Sequence, residues 1–236
     1  MATSFLPLLR ILAAYTAAVA TNMSPQAPAS SPSPAPAPAP APAPALAPSP
    51  APAPSSVPSS AADDSFLRAS CAATDLPGAC YTILLPYAAS FHGSLASVAR
   101  AGAGVAAARR RGFVGELAGL KARGGGTGAG PKADAVLADC LVSAAASDLA
   151  ANETLAHLDR LAAGEGSSRN QFNMARFWAQ AWLGTAEAGM ADCAEWFHRA
   201  GKGAASSPAG QQVIAGCANV SSYMHIALML TNAIKF

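Results

Sequence analysis

An all-α fold is predicted: an up-and-down four-helix bundle, preceded by an N-terminal helical hairpin and stapled by disulfides. Three observations carry this expectation. Beyond residue 60 valine, isoleucine and threonine are sparse and no strand-like alternation persists. The breaks fall at Gly/Ser/Pro clusters, "ARGGGTGAGPK" (122–132), "AGEGSSRN" (163–170) and "GKGAASSPAG" (201–210). Those cuts leave four long segments with short connections, A (92–122), B (132–163), C (170–200) and D (208–234), which pack antiparallel.

In chain order, residues 1–20 come first. "MATSFLPLLRILAAYTAAVA" has one positive charge, Arg10, then ten uncharged, largely apolar residues ending in Ala18-Val19-Ala20, a small-x-small site of the type signal peptidase cuts. The apolar stretch is about half of the roughly 20 residues that span a bilayer, and no later segment is expected to be both long and uncharged enough. The expectation is a cleaved signal peptide, with no membrane association afterwards.

Residues 21–60 hold 14 of the 19 prolines, mostly as Ala-Pro and Ser-Pro repeats. Proline at alternate positions removes backbone donors and pushes each preceding residue to extended geometry, so a disordered, polyproline-like linker is expected. Such repeats resemble the glycosylated modules of plant arabinogalactan proteins and extensins.

Residues 61–236 suffice for one compact domain. "CAATDLPGAC" (71–80) then implies a hairpin: a short helix before Cys71, a turn at Pro77-Gly78, and a helix from Cys80 through Ala89 carrying Ile83, Leu84 and Tyr87. At about 100° per residue, segment B aligns Leu137, Leu141, Ala144, Ala151, Leu155, Leu158 and Ala162 on one stripe, into which Asp148 also falls. Segment C aligns Met174, Phe177, Trp178, Ala181, Thr185, Ala188 and Trp196, and D aligns Val213, Cys217, Val220, Met224, Ala227 and Ile234. Segment A offers Leu95, Val98, Val105, Val114, Leu117 and Leu120. It also carries Gly102, Gly104, Gly112, Gly115 and Gly119, each costing up to about 1 kcal/mol relative to alanine, so a kinked or broken helix is expected.

Cys140 and Cys193 lie at the margins of their stripes, where helices meet and a bridge can form, whereas Cys217 lies inside the stripe of D as a buried free thiol. Cys71 and Cys80 remain as a local pair. By loop entropy the two bridges contribute roughly 2.7 and 4 kcal/mol, a large share in a core filled mainly by alanine.

The net charge of +2 and the isolation of Arg109-Arg110-Arg111, which reads as a solvated helix end, speak against a nucleic-acid partner. His92, His157, His198 and His225 are scattered with no paired zinc spacing, and "GGGTGAGPK" has a proline where a phosphate loop needs glycine next to lysine. No catalytic residue, metal or cofactor is expected, and the chain is not read as an enzyme.

The chain resembles the plant invertase and pectin methylesterase inhibitors through "CAATDLPGAC", "AVLADCLVSAAASDLAANETLAHL" (135–158), "WAQAWLGTAEAGMADCAEWF" (178–197) and "SSYMHIALMLTNAIKF" (221–236). The resemblance implies a four-helix bundle with an N-terminal hairpin, first-to-second and third-to-fourth cysteine bridges, and a free fifth. It further implies a secreted, apoplastic inhibitor that docks over the active-site cleft of pectin methylesterase or, as second choice, acid invertase. Three positions depart from the family pattern: Gly184 and Thr185 where Ser-Ala is usual, and Asp192 where Thr is usual. The Pro-Lys-Phe motif of some invertase inhibitors is missing, since the one Lys-Phe is Lys235-Phe236 after Ile234, which tilts the expected target toward pectin methylesterase. The other readings are a structural wall glycoprotein acting through its proline-rich arm, and a helical hydrolase, for which a nucleophile-base pair is wanting.

Three Asn-x-Ser/Thr sequons are candidates for glycosylation, Asn22, Asn152 and Asn219. Asn219 lies about 120° from the stripe of D and Asn152 about 60° from that of B. Intact-glycopeptide analysis of the secreted protein should find higher occupancy at Asn219 than at Asn152; the reverse order would mean that one of these stripes is rotated.

Overall fold

The computed structural model describes residues 59–123, 130–146, 148–163 and 168–236. The expected signal peptide, nearly all of the linker with Asn22, and the glycine-rich connector 124–129 lie outside the described residues. Among those described the structure is helical, with no strand.

Helix α1 (Ala61–Cys71) starts at a reciprocal cap: the Ser60 hydroxyl accepts from the Asp63 N–H and the Asp63 carboxylate accepts from the Ser60 N–H. Asp63 and Asp64 in its first turn also complement the helix dipole. The turn spans 72–76, where Thr74 bonds the Cys71 carbonyl at 2.8 Å. Pro77 and Gly78, expected to form the turn, instead open α2 (Pro77–Leu84), because proline at the first helical position gives up only an N–H that would be unpaired anyway. The segment tightens into a 3-10 turn over Leu85–Ser90, where Pro86 cannot donate to the helical ladder. The Cys71–Cys80 disulfide, with Cα atoms 5.6 Å apart, joins the two arms. Tyr81 bonds the Asp64 carboxylate, and Arg68 bonds both that carboxylate and the Tyr81 hydroxyl, each at 2.9 Å.

Left-handed geometry at His92 (φ 48°) and Gly93 (φ 71°) separates the hairpin from the bundle, and Ser94 caps α3 (Leu95–Ala122). This helix is unbroken, against the expectation drawn from its glycines. Gly102 is the clearest reason: a Cβ there would stand 3.3 Å from Leu230 Cδ1 and 3.6 Å from Ala227 Cα, so glycine sets the close approach of the last helix. Tertiary packing of this kind outweighs a weak propensity. Arg109-Arg110-Arg111 is not a solvated helix end either; it lies in the middle of α3, and Arg110 is completely buried.

Segment B is two helices, α4 (Pro131–Ala145) and α5 (Asp148–Ala162). Asp148, the misfit in the expected stripe, is where the second begins. Segment C is α6 (Arg169–Ala200), capped by Ser168 and ended by Gly201 at φ 112°. A five-residue helix, α7 (Lys202–Ser206), fills part of what the sequence suggested was a plain break, and α8 (Pro208–Ala233) follows from a Ser207 cap.

Helix α8 is also long and apolar enough to cross a membrane, with a mean hydropathy of 1.5, which corrects the expectation that no later segment would be. Here it packs along α3 and α6, and its whole expected stripe is buried. Helix α3 also packs on α4 and α5, which in turn pack on α6, so α4 and α5 together occupy one corner of a four-cornered bundle. Alanine, with leucine, dominates the shared core.

Two glycine replacements check this packing. A Cβ at Gly216 would lie 2.2 Å from Phe113 Cε2, whereas around Gly115 nothing lies within 4 Å. In chemical denaturation Gly216→Ala should lose about 2 kcal/mol or more, and Gly115→Ala should gain up to about 1 kcal/mol.

Candidate docking groove

The stripe expected to face the core on α6 is outside. Met174, Phe177 and Trp178 are 53, 56 and 51% exposed, and Ala181, Thr185 and Ala188 are exposed with them. Trp196 is half-buried. The buried face is made by Phe172, Ala175, Ala179, Trp182, Leu183, Ala186, Met190, Cys193 and Phe197. Alanine is abundant on both faces, so the aromatic residues were the strongest apparent inward markers, and several of them point out.

Beside this outward face lies a groove of about 820 Å³. One wall is α6, with Trp178, Ala181, Thr185 and Asp192 above the deeper Trp182 and Met190. The other comes from the end of α4 and from α5, with Ser143, Ala146, Ala150, Glu153, Thr154 and His157. Val142, next to Ser143, is 69% exposed.

The groove lies beside the break in segment B. The Arg110 guanidinium, fully buried on α3, donates from Nη1 to the Ala144 carbonyl at the end of α4. A cation at a helix C-terminus supplies the last carbonyls with a donor and complements the dipole, so the break is anchored from inside. The buried Cys140–Cys193 disulfide, with Cα atoms 5.1 Å apart, ties α4 to α6 one helical turn from Ser143 on one side and Met190 on the other. Buried Cys217 forms no disulfide, and burial pushes its thiol up to about 12, which leaves it inert as a nucleophile.

His157 contributes a neutral edge. Burial, with the adjacent Arg160 charge, lowers its pKa, and its Nδ1 lies 2.6 Å from Arg160 Nη2. Since guanidinium only donates, Nδ1 accepts and the other ring nitrogen carries the proton. Glu153 and Asp192 make the rim acidic. Such a surface, apolar with hydroxyls and a few carboxylates, suits recognition.

Of the positions that depart from the expected family pattern, Thr185 and Asp192 line this groove and Gly184 does not. Asn219 is exposed, and its Oδ1 accepts from Arg109 Nε at 2.5 Å, leaving the amide nitrogen free of that bond; Asn152 is half-buried. His225, which does not line the groove, bridges Glu187 at 3.1 Å and Asp75 at 3.3 Å, linking the hairpin turn to α6 and α8. No group of three or more His, Cys, Asp or Glu side chains suited to a metal occurs among the described residues. Sequence periodicity put Trp178 in a core stripe and did not bring Ser143 and His157 to a groove; the Asp148 misfit in segment B was the sequence signal for the break beside it.

A protein-family model described as plant invertase/pectin methylesterase inhibitor matches residues 65–230. No curated protein and no solved structure matches the chain.

Anchor and surface should separate on mutation. Arg110→Ala should cost about 3 kcal/mol in denaturant melts, through a cavity and a buried carbonyl deprived of its donor. Trp178→Ala should stay within about 0.5 kcal/mol of the parent, since its side chain is half in water.

Proposed function

The chain belongs to the plant invertase/pectin methylesterase inhibitor family, and on that premise we propose that it inhibits pectin methylesterase by seating the groove between α4–α5 and α6 over the enzyme's active-site cleft. The family comprises inhibitors of pectin methylesterase or invertase rather than enzymes, and its members are generally secreted to the apoplast. The observation that carries the docking proposal is the outward apolar face of α6. Trp178, Met174 and neighbouring Val142 are each more than half exposed beside a groove of about 820 Å³. Exposed large apolar side chains clustered around a concavity are the usual form of a protein-binding anchor, and tryptophan is the residue most enriched among the few that dominate binding.

Inhibition then needs no chemistry from this chain: a bundle laid over a cleft excludes substrate by volume. Pectin methylesterase is preferred over acid invertase because the Pro-Lys-Phe sequence of some invertase inhibitors has no counterpart here. Residues 1–20 act as the export signal and 21–60 as a tether, since a polyproline arm has no hydrophobic face with which to occupy a sugar-binding cleft.

Titrating the secreted protein into pectin methylesterase and into acid invertase separately tests this. Esterase activity should fall to near zero at one equivalent, with invertase unaffected. Trp178→Ala should weaken esterase inhibition at least about tenfold without unfolding the bundle. A chain beginning at Ala61 should inhibit like the full one. Loss of inhibition on removing 21–60, with the circular dichroism of the rest unchanged, would transfer the function to the arm and favour the structural-glycoprotein reading.

A further inference from the structure

A second surface lies away from the groove, where α6 begins and the chain's last residues cross it. Phe236, 62% exposed, packs edge-on against Phe172 with ring centroids 5.4 Å apart, and the Arg169 guanidinium lies 5.1 Å from its centroid. Arg176 donates to the Ile234 carbonyl at 3.0 Å, and Gln180 donates to Asn232 Oδ1 at 2.7 Å. These bonds hold the C-terminal residues in one place, so Lys235 and Phe236 form part of a fixed surface.

Its side-chain charge is unbalanced. Arg68, Arg100, Arg109 and Arg199 each face a carboxylate at 2.7 to 3.0 Å. Arg169, Arg176 and Lys235 form no ion pair among the described residues, and neither 169–186 nor 203–236 contains an Asp or Glu. The spacing of Arg169, Asn173, Arg176 and Gln180 puts them on one side of the helix, with Phe177, 56% exposed, beside them.

We propose that this surface binds an acidic polysaccharide, a chain of sugars bearing carboxylates. The three functional types it offers match the three parts of such a sugar: aromatic rings for the C–H face, amides for the hydroxyls, and guanidinium or ammonium for the carboxylate. The small number of cations here, with no basic run, decides against nucleic acid. Its arginines lie on the side of α6 away from Trp178, with Phe177, edge-on to Trp178 at 5.5 Å, between the two surfaces, and they give the protein a hold on an acidic matrix.

Affinity electrophoresis of the full chain tests this in gels containing polygalacturonate, its fully methyl-esterified form, or single-stranded DNA. Retardation is expected with polygalacturonate alone, declining as salt is added. Arg169→Glu with Lys235→Glu should weaken it about tenfold or more. Arg199→Glu with Lys202→Glu, an equal change of charge elsewhere, should leave it unchanged, both variants keeping the parent circular dichroism. Equal loss in both double variants, equal retardation by the methyl ester, or retardation by DNA as strong as by polygalacturonate would each overturn the proposal.

Discussion

A single buried cation lies behind the grooved side of this molecule. Arg110 leaves the middle of α3, crosses the core and meets the carbonyl of Ala144. Burying a guanidinium costs several kcal/mol unless its donors are used, so the interior has to supply an acceptor at that depth. A helix that continued past Ala144 would consume that carbonyl in its own ladder; a helix that ends there offers it. The end of α4 thus leaves that carbonyl to Arg110, and α4 and the helix that resumes at Asp148 form one wall of the concavity against α6.

The same economy explains what holds the bundle. Alanine contributes little buried area per residue, and helices lined with it gain most by approaching closely. Gly102 and Gly216 permit that approach at two points where a Cβ would meet Leu230 or Phe113. The Cys140–Cys193 bridge stands where α4 and α6 meet, and the hairpin has its own bridge plus the Asp64–Arg68–Tyr81 cluster. Small side chains set the geometry, and covalent cross-links compensate for the modest area they bury.

Much of the fold was legible in the sequence because its punctuation is local. The Ser-Pro start of α8, the Pro131 start of α4 and the Gly201 stop of α6 are marked by residues whose backbone chemistry dictates the boundary. Helix α8 was also oriented correctly, since valine, methionine and isoleucine recur on one side only. The faces of α6 were not, because an alanine-rich helix has little contrast between its sides and a solvent-facing Trp178 resembles a core residue in a one-dimensional pattern. The break in segment B was present only as the discord of Asp148. The burial of Arg110 had no local signal at all, since its acceptor lies 34 positions away. Sites assembled from contacts at that range become visible only in three dimensions.

The absence of charge along α8 bears on the chain before it is folded. No Asp, Glu, Lys or Arg occurs between Lys202 and Lys235, so the unfolded chain holds a stretch whose side-chain balance is close to that of a stop-transfer segment. Gln211, Gln212, Asn219, Ser221, Ser222, His225 and Asn232 recur along its length. In the folded bundle they are exposed or half-buried; in a lipid phase each would be a hydrogen-bonding group without water. They weigh against a bilayer as the surroundings of this helix and favour its place in the bundle.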